Sequence, residues 1–250
     1  MISIAYKTIQ PDNAIKAFVE NFWCLHNNSD EDKEMIILPD GRVDLTLFKA
    51  DAEPLQIIRS GIEIYPDRVI LKARTLIFSI SFKLTAVEYI FKDSIAEYLD
   101  YAEFLPHDYW SFNENDLKDF DSFCLKASNK IKELLPKDVD NRKQKLFDLI
   151  YATNGAITVQ EISEKVSWSA RQINRYFNQR FGISLKTYCK IIRFRSSFQH
   201  IKDGKLFPEE NFSDQSHFIK EVKKLSGVSP KDLRINKNDR FIQFSTLRSK

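Results

Sequence analysis

The arginine guanidinium and the asparagine carboxamide are planar groups that can make paired hydrogen bonds to base edges in the DNA major groove. Within residues 169–181, SARQINRYFNQRF, Arg171, Asn174, Arg175 and Asn178 recur at the spacing of one helical face, and no Asp or Glu interrupts the run. A solvated helix face ordinarily mixes acid with base. On the other side Ile173, Tyr176, Phe177 and Phe181 fall at i, i+3, i+4 and i+8, the stripe a helix buries. One face suits packing and the other suits base readout.

Such a face is useful only on a helix with fixed ends. Ser169 stands where a side chain can cap the first turn, and Gly182 where a helix can stop. Upstream, Thr158 with Glu161 three residues on forms a capping-box pattern, and Val159, Ile162 and Val166 give a first helix its buried side. Helix, short turn and polar-faced second helix predict a helix-turn-helix. On pattern alone, a helical hairpin with a merely solvated basic side is the other reading. The later stretch FSDQSHFIKEVKKLSGVSPKDL repeats the chemistry: Phe218, Val222 and Leu225 bury, Ser216, Ile219, Lys220 and Lys223 share the other face, and Gly227-Val228-Ser229 echoes Gly182-Ile183-Ser184. Two such units are expected, joined by a basic helix over SLKTYCKIIRFRSSFQHI.

The charge supports the same division. From residue 141 onward 22 Lys and Arg face 10 Asp and Glu, whereas residues 1–140 hold 16 against 25, so nets of +12 and −9 lie hidden in an overall +3. A basic nucleic-acid-binding module fused to an acidic domain has this composition. With 250 residues and 43% apolar content the chain can build one large core or two ordinary ones. No run approaches the ~20 apolar residues of a membrane span, and MISIAYKTIQPDN lacks the features of a signal peptide. A cytoplasmic location without a membrane partner is expected.

Catalytic chemistry has little to stand on. Cys24, Cys124 and Cys189 lie far apart without a C-x-x-C, which favours buried thiols over a zinc ribbon or a disulfide framework. The four histidines are scattered and no Gly-rich phosphate loop is present. No catalytic residue, metal or cofactor is therefore expected. The carboxylates Asp40 and Asp44 could serve an enzyme in the acidic half, but a turn Asp more often caps its own backbone. An interaction protein, whose acidic half recruits a partner, is the other rival.

Read in order, residues 14–25 hold Ala14, Phe18, Phe22 and Leu25 near helical spacing, with an aromatic density that suits a strand equally well. Pro39, Asp40 and Gly41 mark a turn between two apolar runs, and Val43, Leu45 and Leu47 alternate along a strand leaving it. GIEIYPDRVILKA predicts a second turn-bounded strand pair. RTLIFSISFKL alternates again, with Leu76, Phe78, Ile80, Phe82 and Leu84 on one face. The pattern turns helical through TAVEYIFKDSIAEYLDY, then over a longer helix from about Asn115 to Leu135. The fold expected is α+β: an N-terminal antiparallel sheet or small barrel with packed helices (residues 1–135), a joint at 136–141, an all-α double helix-turn-helix domain at 142–236, and a tail at 237–250. Trp23, Phe48, Phe78, Phe82, Tyr89 and Trp110 could line an apolar pocket, although core is the commoner use of such residues.

The order S-x-x-x-I-x-R-x-F-x-x-x-F-G-I-S, then Y-x-x-x-x-R, then F-S-D-Q-S-H-F-I-K-E-x-K-K-x-x-G-V-S-P resembles the C-terminal domain of AraC/XylS-type transcription regulators over about residues 141–236. The resemblance implies double-stranded DNA as partner, with one helix of each module in each of two successive major grooves, ~34 Å apart. Carried over by position, it implies base contacts from Arg171, Gln172, Asn174 and Arg175, and from Gln215, Ser216, His217 and Lys220. It also implies backbone contacts from Ser169, Arg193, Arg195 and Lys223. The chain departs from the pattern at KDGKLFPEENF, which is short, contains Pro208 and has Asn211 where Gly is usual. Proline in a helix interior costs about 3 kcal/mol, so a full supporting helix is not expected there. A protein-interaction or ligand-sensing module with one DNA-reading helix is the alternative. Through LPDGRVDL the acidic half resembles the sensor-type domain of some such regulators, which implies a small-molecule effector, a protein partner or a homodimer.

Overall fold

A computed structural model describes residues 4–51, 53–206, 212 and 214–245. It is an α+β structure in which strands precede helices. The strands are β1 (Ile4–Ile9), β2 (Val19–Asn27), β3 (Lys33–Ile37), β4 (Val43–Lys49), β5 (Gln56–Ser60), β6 (Asp67–Leu71), β7 (Leu76–Phe82) and β8 (Ala102–Phe104). Six form an antiparallel sheet in the order β1-β2-β7-β4-β5-β8, and β3 pairs with β6 in a second sheet. The helices are α1 (Phe120–Leu134), α2 (Asn141–Ala152), α3 (Val159–Val166), α4 (Ala170–Phe181), α5 (Leu185–Ser196), α6 (Phe198–Lys202), α7 (Gln215–Ser226), α8 (Pro230–Ile235) and α9 (Ile242–Ser245).

Alternation along β7 makes the larger sheet two-faced. Phe78 lies between Cys24 and Leu47 on the neighbouring strands, and Ser79 between Trp23 and Thr46. The Phe78 side, with Phe22, Leu45, Ile80 and Phe82, packs on α1, where Phe78 meets Phe120 and Phe123 at centroid distances of 5.0 and 5.5 Å. The Ser79 side carries polar groups that are also buried, among them Thr46, Ser79 and Ser81. Thr46 Oγ1 and Ser79 Oγ lie 2.7 Å apart, and Trp23 Nε1 donates to Asp44 Oδ2 at 3.1 Å. Paired in this way, such groups can leave water at little cost.

Several expected elements differ. Residues 19–27, open between helix and strand on spacing alone, are strand, because Val19 and Phe22 bury beside Phe82 and Ile80. The pair expected over 61–73 reduces to β6. Gly61 follows β5 directly and passes so close to Tyr98 that an added Cβ would lie 1.7 Å from its carbonyl oxygen. The helix expected over 85–101 is a π-helical turn, Val87–Phe91, and a 3-10 turn, Ala96–Tyr98. Lys92 closes the first in the left-handed region, and Asp93 Oδ1 takes the Ser94 N–H, a local bond that competes with helix. The longer helix begins only at Phe120, where Asp119 caps it by accepting from Ser122 N–H. The six aromatics do not share one pocket: Trp23 and Phe48 lie on the opposite sheet face from Phe78 and Phe82. Residues 207–211, with Pro208 and Asn211, and Ser213 lie outside the described residues.

In the helical half, side chains at the helix starts take up backbone N–H groups that have no partner within the helix. Asp140, Thr158, Ser169, Ser184, Asp214 and Ser229 each accept such a bond. Phe147, Phe177, Phe181 and Tyr188 fill the space between α2, α4 and α5, with Phe177 5.9 Å from Phe147 and 5.7 Å from Tyr188. Fully burying one such ring contributes about 1.5–3 kcal/mol.

The two halves touch. The turn between β3 and β4 seats on α5, where Tyr188 Oη donates to the Gly41 carbonyl at 3.1 Å. Gly41 has φ +74, and a Cβ there would lie 2.9 Å from both Ile192 Cδ1 and Tyr188 Cε2, so glycine is required twice over. Beyond α8 the chain returns to β3. Ile36 N–H donates to Arg240 O at 2.6 Å, and the Gln243 carboxamide makes two 3.0 Å bonds to the Leu38 backbone.

Candidate nucleic-acid interface

Ser169 opens α4 by accepting from Gln172 N–H, while Gln172 Oε1 accepts from Ser169 N–H at 2.9 Å and from its hydroxyl at 2.8 Å. Gln172, expected at a base, thus has its carbonyl oxygen engaged in the cap. The S-x-x-Q spacing that gives this away was in the sequence. Asn174 Nδ2 donates to Ala170 O at 3.0 Å. Arg171 and Arg175 are exposed and make no intramolecular hydrogen bond or ion pair among the described residues. Asn178 is exposed one turn on, and Ile173, Phe177 and Phe181 are wholly buried behind them. α4 therefore offers two unpaired guanidinium groups on a rigid backing, ended by Gly182 at φ 73.

The second expected surface lies on α7, capped by Asp214, whose Oδ1 accepts from His217 N–H at 2.8 Å. Gln215, Ser216, Lys220 and Lys223 are exposed, while Phe218, Val222 and Leu225 bury. His217 is half-buried, its ring edge-on to Phe212 at 5.8 Å and its Nδ1 without a partner among the described residues. It packs more than it presents. Glu221, the acid of this helix, faces Lys190 of α5 at 3.4 Å.

Arg193 and Arg195, expected at phosphate, have internal partners. Arg193 donates to Gly155 O at 3.1 Å. Arg195 donates to Asp40 O at 3.4 Å and lies 3.5 Å from Glu20 Oε1. Glu88 was not anticipated. Its carboxylate accepts from Tyr176 Oη of α4 at 2.8 Å and pairs with Lys143 of α2. Burial and the Glu88 charge push the Tyr176 hydroxyl far above its ordinary range. No local pattern could have revealed these pairs, because each joins elements far apart in the chain.

The acidic half contains its own charge cluster. Arg42 lies 3.2 Å from Glu20 and 3.8 Å from Asp40. Desolvation and the neighbouring Asp40 push Asp44 up to about 7, against the Ser81 and Trp23 hydrogen bonds and Arg42, which favour its anion. Glu63 is also raised well above the carboxylate range, by desolvation and by Asp40 and Asp44. Burial pushes the Cys124 and Cys189 thiols up to about 12, which leaves little thiolate for chemistry. Among the described residues no group of three or more His, Cys, Asp or Glu could hold a metal ion, and no helix is long and apolar enough to cross a membrane.

Residues 7–103 match a family model described as a domain of unknown function, DUF6597. No match is found among curated proteins. Of the solved structures, a transcriptional regulator with an AraC-type DNA-binding domain from Chromobacterium violaceum is 19% identical over 39% of this chain and 92% of its own, with a TM-score of 0.33. ToxT from Vibrio cholerae is 12% identical over 93% of this chain and 98% of its own, at 0.45. Another ToxT structure, bound to (E)-4-(8-methylnaphthalen-1-yl)but-3-enoic acid, is 13% identical over the same shares, also at 0.45.

Proposed function

We propose that this chain is a sequence-specific DNA-binding transcription regulator of the AraC/XylS type, in which α4 reads one major groove and α7 the next. The observation that carries the reading is the outer face of α4: Arg171 and Arg175 are solvent-exposed and unpaired on a helix held at both ends. Guanidinium groups so placed suit bidentate bonds to guanine. The run from DQSHF to GVSP, read as the second module, supports the same conclusion. Within the eight base-contact candidates, Arg171, Arg175, Gln215, Ser216 and Lys220 are the presented set. Asn174 contributes its free Oδ1. Gln172 acts in the cap of α4, and the His217 ring packs on Phe212. Ser169 serves the cap, and Lys223 remains suited to backbone phosphate. The acidic half is the regulatory part, open to an effector, a protein partner or a second copy.

The test is the DNA footprint of the purified chain, with its motif determined on a protein-binding microarray. A reproducible motif spanning two major grooves is expected. A motif of one groove would restrict reading to α4, and the lack of any motif would end the proposal.

A further inference from the structure

Adenine is read by a carboxamide that offers donor and acceptor together, and guanine by a guanidinium that donates twice. Both kinds of group stand at the start of α4, and their hydrogen bonds separate them. Gln172 Oε1 accepts from the Ser169 N–H at 2.9 Å and from its hydroxyl at 2.8 Å, which occupies both acceptor positions of that oxygen. Asn174 Nδ2 donates to Ala170 O at 3.0 Å, so this amide is held against the backbone of its own helix and Oδ1 is left to accept. A lone acceptor serves cytosine N4 and adenine N6 alike. Asn178 makes no side-chain hydrogen bond among the described residues, but it stands a turn nearer the helix end, whereas base edges are met by the N-terminal residues of a recognition helix. Arg171 and Arg175 are exposed and unpaired on one face. Four residues apart, they are separated by a rise of about 6 Å, close to two base-pair steps of ~3.4 Å. α7 is different, for it carries no arginine. Gln215, its first residue, is exposed and keeps both ends of its carboxamide free among the described residues. His217 is turned onto Phe212, and Lys220 is a point charge on a flexible stem.

We propose that the two helices read different bases: α4 takes two guanines within three consecutive base pairs, one through Arg171 and one through Arg175, and α7 takes an adenine one helical turn away through Gln215. The proposal rests on the DNA-binding reading and names the class of sequence recognised. Discrimination is unequal between the two grooves. A guanidinium presents its donors in a fixed fork, and each such pair with guanine O6 and N7 favours that base by about tenfold or more. α4 makes two of these pairs and α7 a single carboxamide pair, so the guanine element dominates the site. The capping bond of Gln172 belongs to this specificity, because it withdraws the acceptor that would admit adenine beside Arg171.

The experiment selects duplexes from a random library with the full-length chain, then rebuilds the selected site with base analogues. The motif expected holds the guanine pair and, about 10 base pairs away, an adenine. In the rebuilt site, 7-deazaguanine, which lacks N7, should weaken binding about tenfold at either guanine. Inosine has the major-groove edge of guanine and should bind as the parent site does. Arg171→Ala and Arg175→Ala should each erase the preference at a different guanine and leave the adenine, which Gln215→Ala alone should erase. A reproducible motif without the guanine pair, or a site that tolerates 7-deazaguanine or loses as much with inosine, overturns the guanine assignment and leaves the DNA reading standing. A guanine pair without the adenine overturns the part given to α7. The lack of any reproducible motif overturns the assignment and the DNA reading together.

Discussion

At the residue scale, the chemistry separates into side chains left free and side chains given a partner. Arg175 is free. Its replacement by Ala should weaken binding to the preferred site by ~1–3 kcal/mol and relax discrimination at the base it reads, measured as titrations on matched and single-mismatch sites; equal losses on both would assign it to phosphate. Asp44 is the contrasting case, a carboxyl pushed up to about 7 by desolvation and by Asp40. A carboxyl whose folded pKa is raised binds more protons in the native state than in the unfolded one. Its stabilising contribution is complete below its unfolded pKa and is lost as pH rises through about 7. Asp44→Asn removes that dependence. Between about pH 5 and pH 8 the parent should therefore lose stability relative to the variant, read by urea unfolding at both pH values; a constant difference would mean that Asp44 titrates normally.

At the scale of elements, α4 is defined by its ends as much as by its stripe. The Ser169–Gln172 capping box fixes where the helix starts, and hence which way Arg171 points. Ser169→Ala should cost ~0.5–2 kcal/mol in unfolding free energy and weaken DNA binding in parallel, although the residue touches no base in this reading. Unfolding that matches the parent would show that α4 draws its order from packing alone. The strands teach a different lesson. β3 and β4 flank a good turn signal and do not pair with each other, because β4 is taken between β5 and β7 and β3 pairs with β6. A turn fixes where the chain reverses, and the partner is chosen by which face each strand must bury.

At the scale of the whole molecule, the halves are joined by the Gly41 turn on α5, the Glu88 and Glu20 ion pairs, and the returning tail on β3. Contacts of this breadth couple the unfolding of the two parts. The parent should melt in a single calorimetric transition. Gly41→Ala, which forces a side chain into a left-handed position against Ile192 and Tyr188, should cost ~1–3 kcal/mol and split the transition in two. One sharp transition in a folded variant would show that the turn does not join the halves.

What the sequence determined by itself was local chemistry. The caps at Thr158 and Ser169, the buried stripe of α4, the stop at Gly182 and the alternation of β7 all depend on neighbours within a few residues, and helix and strand periods expose such patterns directly. The acid-free face of α4 was legible for the same reason. Only the tertiary structure decided which strands pair, where the helix expected over residues 85–101 breaks, and that Arg195 meets Glu20 and Lys143 meets Glu88. These contacts join groups distant in the chain, and their identity is set by how whole faces pack, information that no short window of sequence contains.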